Sequence, residues 1–182
     1  MRVIAGEARG RPLRAPKGSA IRPTSDRVRE AMFNALGSQF DLHGARVVDL
    51  FAGSGALGVE ALSRGAAEAV FVDHDAAARR VIVENLRTTG FHDRATVRGG
   101  DATAPWCGGE RFDVAFCDPP YRFDGWHNLL VGLPADWAVL ESDREVGVAE
   151  GWEIVRSKRY GSTVVVLARR GGPAETVSAE QE

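Results

Sequence analysis

Four consecutive residues, Asp118-Pro119-Pro120-Tyr121, carry the clearest chemistry in this 182-residue chain. Two adjacent prolines fix φ and leave two peptide groups without N–H, so the local backbone offers carbonyl acceptors only. Beside the Asp118 carboxylate, that set is suited to holding an amino group by its hydrogens. The exocyclic amine of a nucleobase, like an amide, has its lone pair delocalised into a π system and is a poor nucleophile. If Asp118 and the Pro119 carbonyl each accept one N–H, a pyramidal nitrogen is favoured and its lone pair can face an electrophile. The carboxylate then stabilises the charge arriving on nitrogen and is placed to take the departing proton. Tyr121 offers a ring on which a flipped base can stack, worth ~1–3 kcal/mol. The competing structural reading is a rigid turn with Tyr121 packed in the core.

The motif follows Phe112-Asp113-Val114-Ala115-Phe116-Cys117, an apolar run that reads as a strand. In open α/β sheets, ligands bind at the carboxyl ends of strands, so a second loop should face it. Gly53-Ser54-Gly55-Ala56-Leu57-Gly58 fits, with G-x-G-x-x-G spacing between the strand Arg46–Phe51 and a helix reaching about Arg64. Such glycines permit a tight turn and close ligand approach, and the helix N-terminus supplies free N–H donors. Asp73 ends the next strand and can accept ribose hydroxyls. A dinucleotide would use the same geometry, and glycines serving only helix–strand packing are the bland alternative. Asp49 favours S-adenosylmethionine, because a carboxylate four residues before Gly53 can orient the loop or reach a cationic cofactor, whereas a pyrophosphate would be repelled. Asp101, after a third strand, can accept from an adenine amine, or can simply cap a helix.

The remaining elements form a frame for these loops. Strands are expected at Ala69–Asp73, Ala95–Arg98 and Trp137–Glu141, with a helix over Ala76–Thr89 whose apolar positions include Ala77, Val81 and Leu86. Near-continuous apolar strands alternating with helices predict a parallel sheet covered on both faces. Trp152–Arg156 and Thr163–Ala168 flank a turn at Tyr160-Gly161-Ser162 and read as an antiparallel hairpin on the sheet edge. An earlier helix, capped by Thr24 or Ser25, runs to about Leu36 with Val28, Ala31, Met32, Ala35 and Leu36 on one face and Gly37 as its stop. Residues 1–23 read as a glycine- and proline-broken hairpin arm, 24–170 as the main domain, and 171–182 as a disordered acidic tail.

Charge is unevenly spread. Residues 1–30 carry +5, and the rest of a chain of net charge −2 carries −7. A basic arm on an acidic body points to a polyanionic partner touched at one end, against the bland alternative of solvated surface. Apolar residues at 44% and charged residues at 26% suit a globular protein, and no apolar run reaches the ~20 residues of a membrane span. Without a secretory-type N-terminus, the expected compartment is the cytoplasm. Cys117 reads as a small core residue, and neither it with Cys107 nor the four scattered histidines offers metal-ligand spacing, so no metal is expected.

At this point a resemblance is plain. Val48 to Gly65 (VDLFAGSGALGVEALSRG) together with Asp118 to Tyr121 resembles the class I methyltransferases. Arg2-Val3-Ile4-Ala5-Gly6, Arg9-Gly10-Arg11 and Arg22-Pro23-Thr24-Ser25-Asp26-Arg27-Val28-Arg29-Glu30 narrow it to the RsmD family, the 16S rRNA guanine-N2 methyltransferases. The resemblance spans Arg2 to about Arg169. It implies a Rossmann-like, mostly parallel seven-stranded sheet with a small N-terminal β-hairpin extension. It implies S-adenosylmethionine contacts at Asp49, Gly53, Ser54, Asp73 and Asp101, flanked by Phe51, Ala52, Gly55, His74 and Ala102. Catalysis falls at Asp118, Pro119, Pro120 and Tyr121. RNA contacts fall at Arg9, Arg11, Arg14, Arg22, Thr24, Arg27 and Arg29. The implied substrate is a partly assembled small ribosomal subunit; the chain itself is expected to be a monomer. Gly125–Arg144 is short for a crossover helix plus a strand. A DNA amino-methyltransferase would need a recognition domain for which there is no room. A glutamine-amide methyltransferase would usually carry Asn at position 118. A nicotinamide oxidoreductase would need a substrate domain, and a chemically inert RNA-binding module would not need Asp118 and the glycines.

Overall fold

Apolar runs of five or six residues are the length of strands buried on both faces, and the chain uses them that way. In a computed structural model, residues 1–16, 25–104 and 109–171 are described. Their strands are β1 (Arg46–Leu50), β2 (Glu68–Asp73), β3 (Ala95–Gly99), β4 (Phe112–Cys117), β5 (Ala135–Ser142), β6 (Trp152–Tyr160) and β7 (Thr163–Arg170). The helices are α1 (Asp26–Gly37), α2 (Ala56–Ser63), α3 (Ala76–Thr89) and α4 (Trp126–Gly132). All seven strands form one sheet in the order β3-β2-β1-β4-β5-β7-β6. The first five are parallel, and β7 pairs antiparallel with both β5 and β6. This is the class I methyltransferase architecture, with its C-terminal hairpin at the edge.

The pleat sends alternate residues to two cores. Val47, Phe71, Phe116 and Val139 pack against α1, α2 and α3. Val48, Val70, Cys117 and Leu140 pack against α4 and the segment around Val146 and Ala149. The short Gly125–Arg144 stretch is accommodated because α4 has only seven residues, and Leu129 and Leu130 bury its inner face. Cys117 is fully buried as a core residue, while Cys107, Lys17, Arg22, Thr24 and the tail beyond Gly171 lie outside the described residues.

Several expected boundaries and faces shift. β6 continues to Tyr160 and β7 to Arg170. Ser157, Lys158 and Arg159 look unlike a strand because β6 is an exposed edge, where charges and a bulge near Ile154 deter further pairing. On α3 the buried stripe is Ala78, Ile82, Asn85, Leu86 and Thr89, one position on from Ala77 and Val81. The two polar members of that stripe bond to backbone, which hydrophobic periodicity does not register. On α1, Ser25 accepts from the Val28 N–H as N-cap, but the buried face takes in Arg29 and Phe33, and Ala31 is only half-buried.

The N-terminal residues form a narrow hairpin, joined by a bridge between Arg2 and Pro12 and by Val3 N–H to Arg11 O at 3.0 Å. It is docked on α2, and Val3, Ala8 and Leu13 join the core. Glu60, 1% exposed, accepts from the Ile4 and Ala5 N–H groups at 2.8 and 3.0 Å and from Arg64 Nε at 2.8 Å. Ser63 Oγ accepts from Ala8 N–H and donates to the Ala5 carbonyl. Gly6 makes the approach feasible, since a Cβ there would lie 1.7 Å from the Ser63 carbonyl oxygen. Glu60→Ala should therefore lower unfolding stability by about 2–3 kcal/mol, since it strands buried donors. Hydrogen exchange should accelerate at the Ile4 and Ala5 amides, and unchanged exchange there would mean that other contacts hold the arm.

Candidate active site

The sheet order places the ends of β1 and β4 side by side, with Leu50 in register with Cys117. The loops that follow them therefore leave from one point and diverge around a crevice. After β1 the backbone enters the left-handed region at Phe51 (φ 57°), an uncommon conformation for a bulky residue. Ala52 N–H bonds to Val72 O at 3.1 Å, Gly53 and Gly55 also have positive φ, and α2 begins.

Gly55, the residue at the start of α2, has no side chain to cap the helix. Asp49 does so from the neighbouring strand: its Oδ2 accepts the Gly58 N–H at 2.9 Å. Of the roles open to Asp49, orienting the loop is the one its contacts show. Burial raises its pKa well above the ordinary carboxylate value, and Asp118 and Asp73 add to the rise while the Gly58 bond opposes it. Asp73 orders the other side of the loop. Its Oδ2 accepts Gly53 N–H at 2.7 Å and its Oδ1 accepts Asp75 N–H at 2.8 Å. Each oxygen has a further lone pair for a ribose hydroxyl.

Phe51, Asp73, His74, Asp101 and Ala102 line a cavity of about 370 Å³, open to solvent at the carboxyl edge of the sheet. Its size and its two carboxylates fit a nucleoside. Asp101 caps no helix: its Oδ1 accepts both the backbone N–H and the hydroxyl of Thr103, and these bonds hold its pKa below the usual range. It stays ionised on the cavity wall, where it can accept from an adenine amine.

Asp118, Pro119, Pro120 and Tyr121 leave β4 and line a narrow cleft with Phe123, Trp126 and the β5 end at Glu141, Ser142 and Asp143. Tyr121 is 51% exposed, so it is not a core residue and its ring is available. The next residue, Arg122, has φ 75°. Arg122 and Phe51 are the non-glycine residues with positive φ among those described, and both lie at this crevice. Backbone strain concentrated in this way is a mark of functional loops. The cavity and the cleft touch through an aromatic contact, Phe51 to Phe123 at 5.4 Å, continued by Phe123 to Trp126 at 5.1 Å.

The arginines expected to meet a polyanion separate into two groups. Arg9 and Arg27 line a groove between the arm and α1, and both are exposed. Arg11 and Arg14 are exposed but lean on α3, Arg11 Nη1 to the Thr88 carbonyl at 2.9 Å and Arg14 to Glu84 at 3.0 Å. Arg29 is a correction. It is fully buried and bonds to Asp26 and to the Arg2 carbonyl, so it braces the arm against α1 and presents nothing to a ligand. Phe123 and Asn85 were not singled out from sequence. Phe123 could have been, as the aromatic two residues past Tyr121. Asn85 carries no local signal beyond a polar residue on an inward helical stripe.

Comparison with known proteins agrees with this geometry. A family model described as "Conserved hypothetical protein 95" matches residues 1–169. The Ribosomal RNA small subunit methyltransferase D of Escherichia coli K12 is 37% identical, over 97% of this chain and 93% of that protein. The chain belongs to the RsmD family of methyltransferases. Another relative, the putative rRNA methyltransferase YlbH of Bacillus subtilis, is 39% identical over 94% of this chain and 100% of its own length. Among solved structures, the putative methyltransferase yhhF of Escherichia coli superposes with a TM-score of 0.81 at 36% identity, covering 95% of this chain and 99% of that one. The RsmD family match thus spans the arm, the loop and the Asp118–Tyr121 segment together.

The buried Asp49 carboxyl yields a signed prediction. Its folded pKa lies above its unfolded value, so folding favours the protonated form. Its contribution to stability is complete below the unfolded pKa, about 4, and declines as pH rises toward the raised folded value. Asp49→Asn removes that titration while leaving an oxygen to accept the Gly58 N–H. Melting temperatures measured from pH 4 to 8 should fall less with rising pH in the D49N variant than in the parent, and parallel profiles would refute the assignment.

Proposed function

We propose that this chain transfers a methyl group from S-adenosylmethionine to the exocyclic N2 amine of a guanine in 16S rRNA. The acceptor is presented within the small ribosomal subunit or an assembly intermediate of it, and the enzyme works as a cytoplasmic monomer. The observation that carries the proposal is the exposed Tyr121 ring beside Asp118 and the prolines, one aromatic contact from a nucleoside-sized cavity. The names of the E. coli and B. subtilis relatives support RNA as the substrate.

Bound S-adenosylmethionine supplies a methyl group already activated by a sulfonium centre. Asp73 and Asp101 suit its ribose and adenine, and the carboxylates of Asp73 and Asp118 on the two sides of the crevice favour its positive charge. A guanine swung out of its stack lies on Tyr121. The Asp118 carboxylate and the Pro119 carbonyl accept its amino hydrogens and turn the nitrogen lone pair toward the cavity. Positioning supplies much of the rate, and the Asp118 charge stabilises the positive nitrogen before it loses its proton. Arg9, Arg11, Arg14 and Arg27 meet phosphates, and Arg22 and Thr24 are assigned the same role from the sequence. The arm over residues 1–23 is the substrate-recognition element, and 24–170 carries the chemistry.

Incubating the protein and labelled S-adenosylmethionine with small subunits from a strain lacking the enzyme should place label in 16S rRNA as N2-methylguanine. Label in protein or DNA would sink the proposal. Asp118→Ala should abolish transfer, a loss of at least ~10²-fold, with cofactor affinity retained in calorimetry. A fully active variant would remove Asp118 from the chemistry. Charge reversal at Arg9, Arg11 and Arg14 should weaken subunit binding and flatten its dependence on salt. Unaltered binding would return the arm to ordinary surface.

A further inference from the structure

Asn85 lies in the second half of α3 and is 1% exposed. Its side-chain amide bonds to two backbone segments that are far apart in sequence. Oδ1 accepts the Arg14 N–H at 2.8 Å, and Nδ2 donates to the Arg14 carbonyl at 2.9 Å and to the Ser54 carbonyl at 2.8 Å. Arg14 belongs to the arm, and Ser54 is the middle residue of Gly53-Ser54-Gly55. The arm's first residue reaches the same loop, where Met1 Sδ lies 3.9 Å from Ser54 Oγ.

A residue needed only to fill this position would be apolar, like its neighbours Ile82 and Leu86 on the same stripe. The position calls instead for a group that donates twice and accepts once at a fixed length, which asparagine supplies. The arm's attachments through Glu60 and Ser63 run to the body of α2, those of the Arg11 and Arg14 side chains to α3 and that of Arg29 to α1, none of them to the loop. Asn85 is therefore a side chain that bonds the arm and the glycine loop at once.

We infer that Asn85 is a positioning residue that couples cofactor binding at the Gly53–Gly55 loop to ordering of the RNA-binding arm. The inference rests on the reading of the loop as the cofactor site and of the arm as the substrate-recognition element. A cofactor that fixes the Ser54 carbonyl fixes Nδ2, and through the same amide fixes the backbone of Arg14. Linkage makes the effect reciprocal: a subunit held by the arm tightens the cofactor by the same factor that the cofactor tightens the subunit. The loaded enzyme thus presents an arm already in its binding conformation.

The coupling is tested by hydrogen exchange of the full chain with and without S-adenosylmethionine, in the parent and in Asn85→Asp and Asn85→Ala. Asn85→Asp keeps the acceptor for the Arg14 N–H and loses both donations, and a melting curve checks that each variant is folded. In the parent, the cofactor should slow exchange at Gly53 and also at Leu13 and Arg14, by about fivefold or more. In the variants the protection at Gly53 should persist and that at Leu13 and Arg14 should vanish. Cofactor affinity should stay within about threefold, while KM for small subunits rises by about fivefold or more. A parent whose arm is indifferent to the cofactor overturns the inference even if no variant folds. So do variants that still transmit the protection. The exchange experiment contains no acceptor. A parent that protects Arg14 yet methylates no small subunit would overturn the guanine proposal and leave the coupling intact.

Discussion

The position of β1 governs this molecule. It pairs with β2 on one side and β4 on the other, and the chain visits the β2 side first before crossing back. The connections leaving β1 and β4 must then part in opposite directions, which opens a gap between them. The cavity, the glycine loop and the Asp118–Tyr121 segment are all consequences of that parting. Because β1 is buried on both faces, its register is firmly set, and the residues that follow it inherit a fixed starting point.

The polar groups placed at this point brace one another. Asp49 caps α2 from outside the helix, Asp73 ties Gly53 back to β2, and Asn85 reaches the same loop from α3. Three side chains from three elements thus converge on the six residues Gly53 to Gly58, which make up the loop and the first turn of α2. This bracing explains how a bulky Phe51 can be held at positive φ, which costs of order 1–3 kcal/mol and persists only where the surroundings over-determine it. The result is an aromatic wall shared by the cavity beside Asp73 and the cleft beside Asp118.

Much of this was legible in the sequence. β4 and α3 were read with their observed ends, because a continuous apolar run and a capped, glycine-stopped helix are strong local signals. The glycine loop and the Asp-Pro-Pro-Tyr segment were readable for a different reason: their chemistry requires particular residue types at short spacing. What escaped was long-range. Arg29 sits in a run of arginines and looks like part of a basic surface, yet it is enclosed when the arm folds over α1. Asn85 bonds to residues 31 and 71 positions away, and no window of sequence contains those partners together. The edge strand β6 was cut short because solvent on both faces erases the alternation by which strands are recognised.

The hairpin's attachment has a further consequence for how the chain is made. The hairpin is held by groups synthesised after it: Glu60 and Ser63, which lie 55 or 56 positions downstream, and Asn85, 71 positions downstream of Arg14. Closing such loops costs conformational entropy before any contact offsets it. The leading segment therefore travels unattached until α2 and α3 have emerged and packed on β1 and β2. The hairpin is thus among the last parts to find its place, laid down on an α2, an α3 and a glycine loop that are already packed.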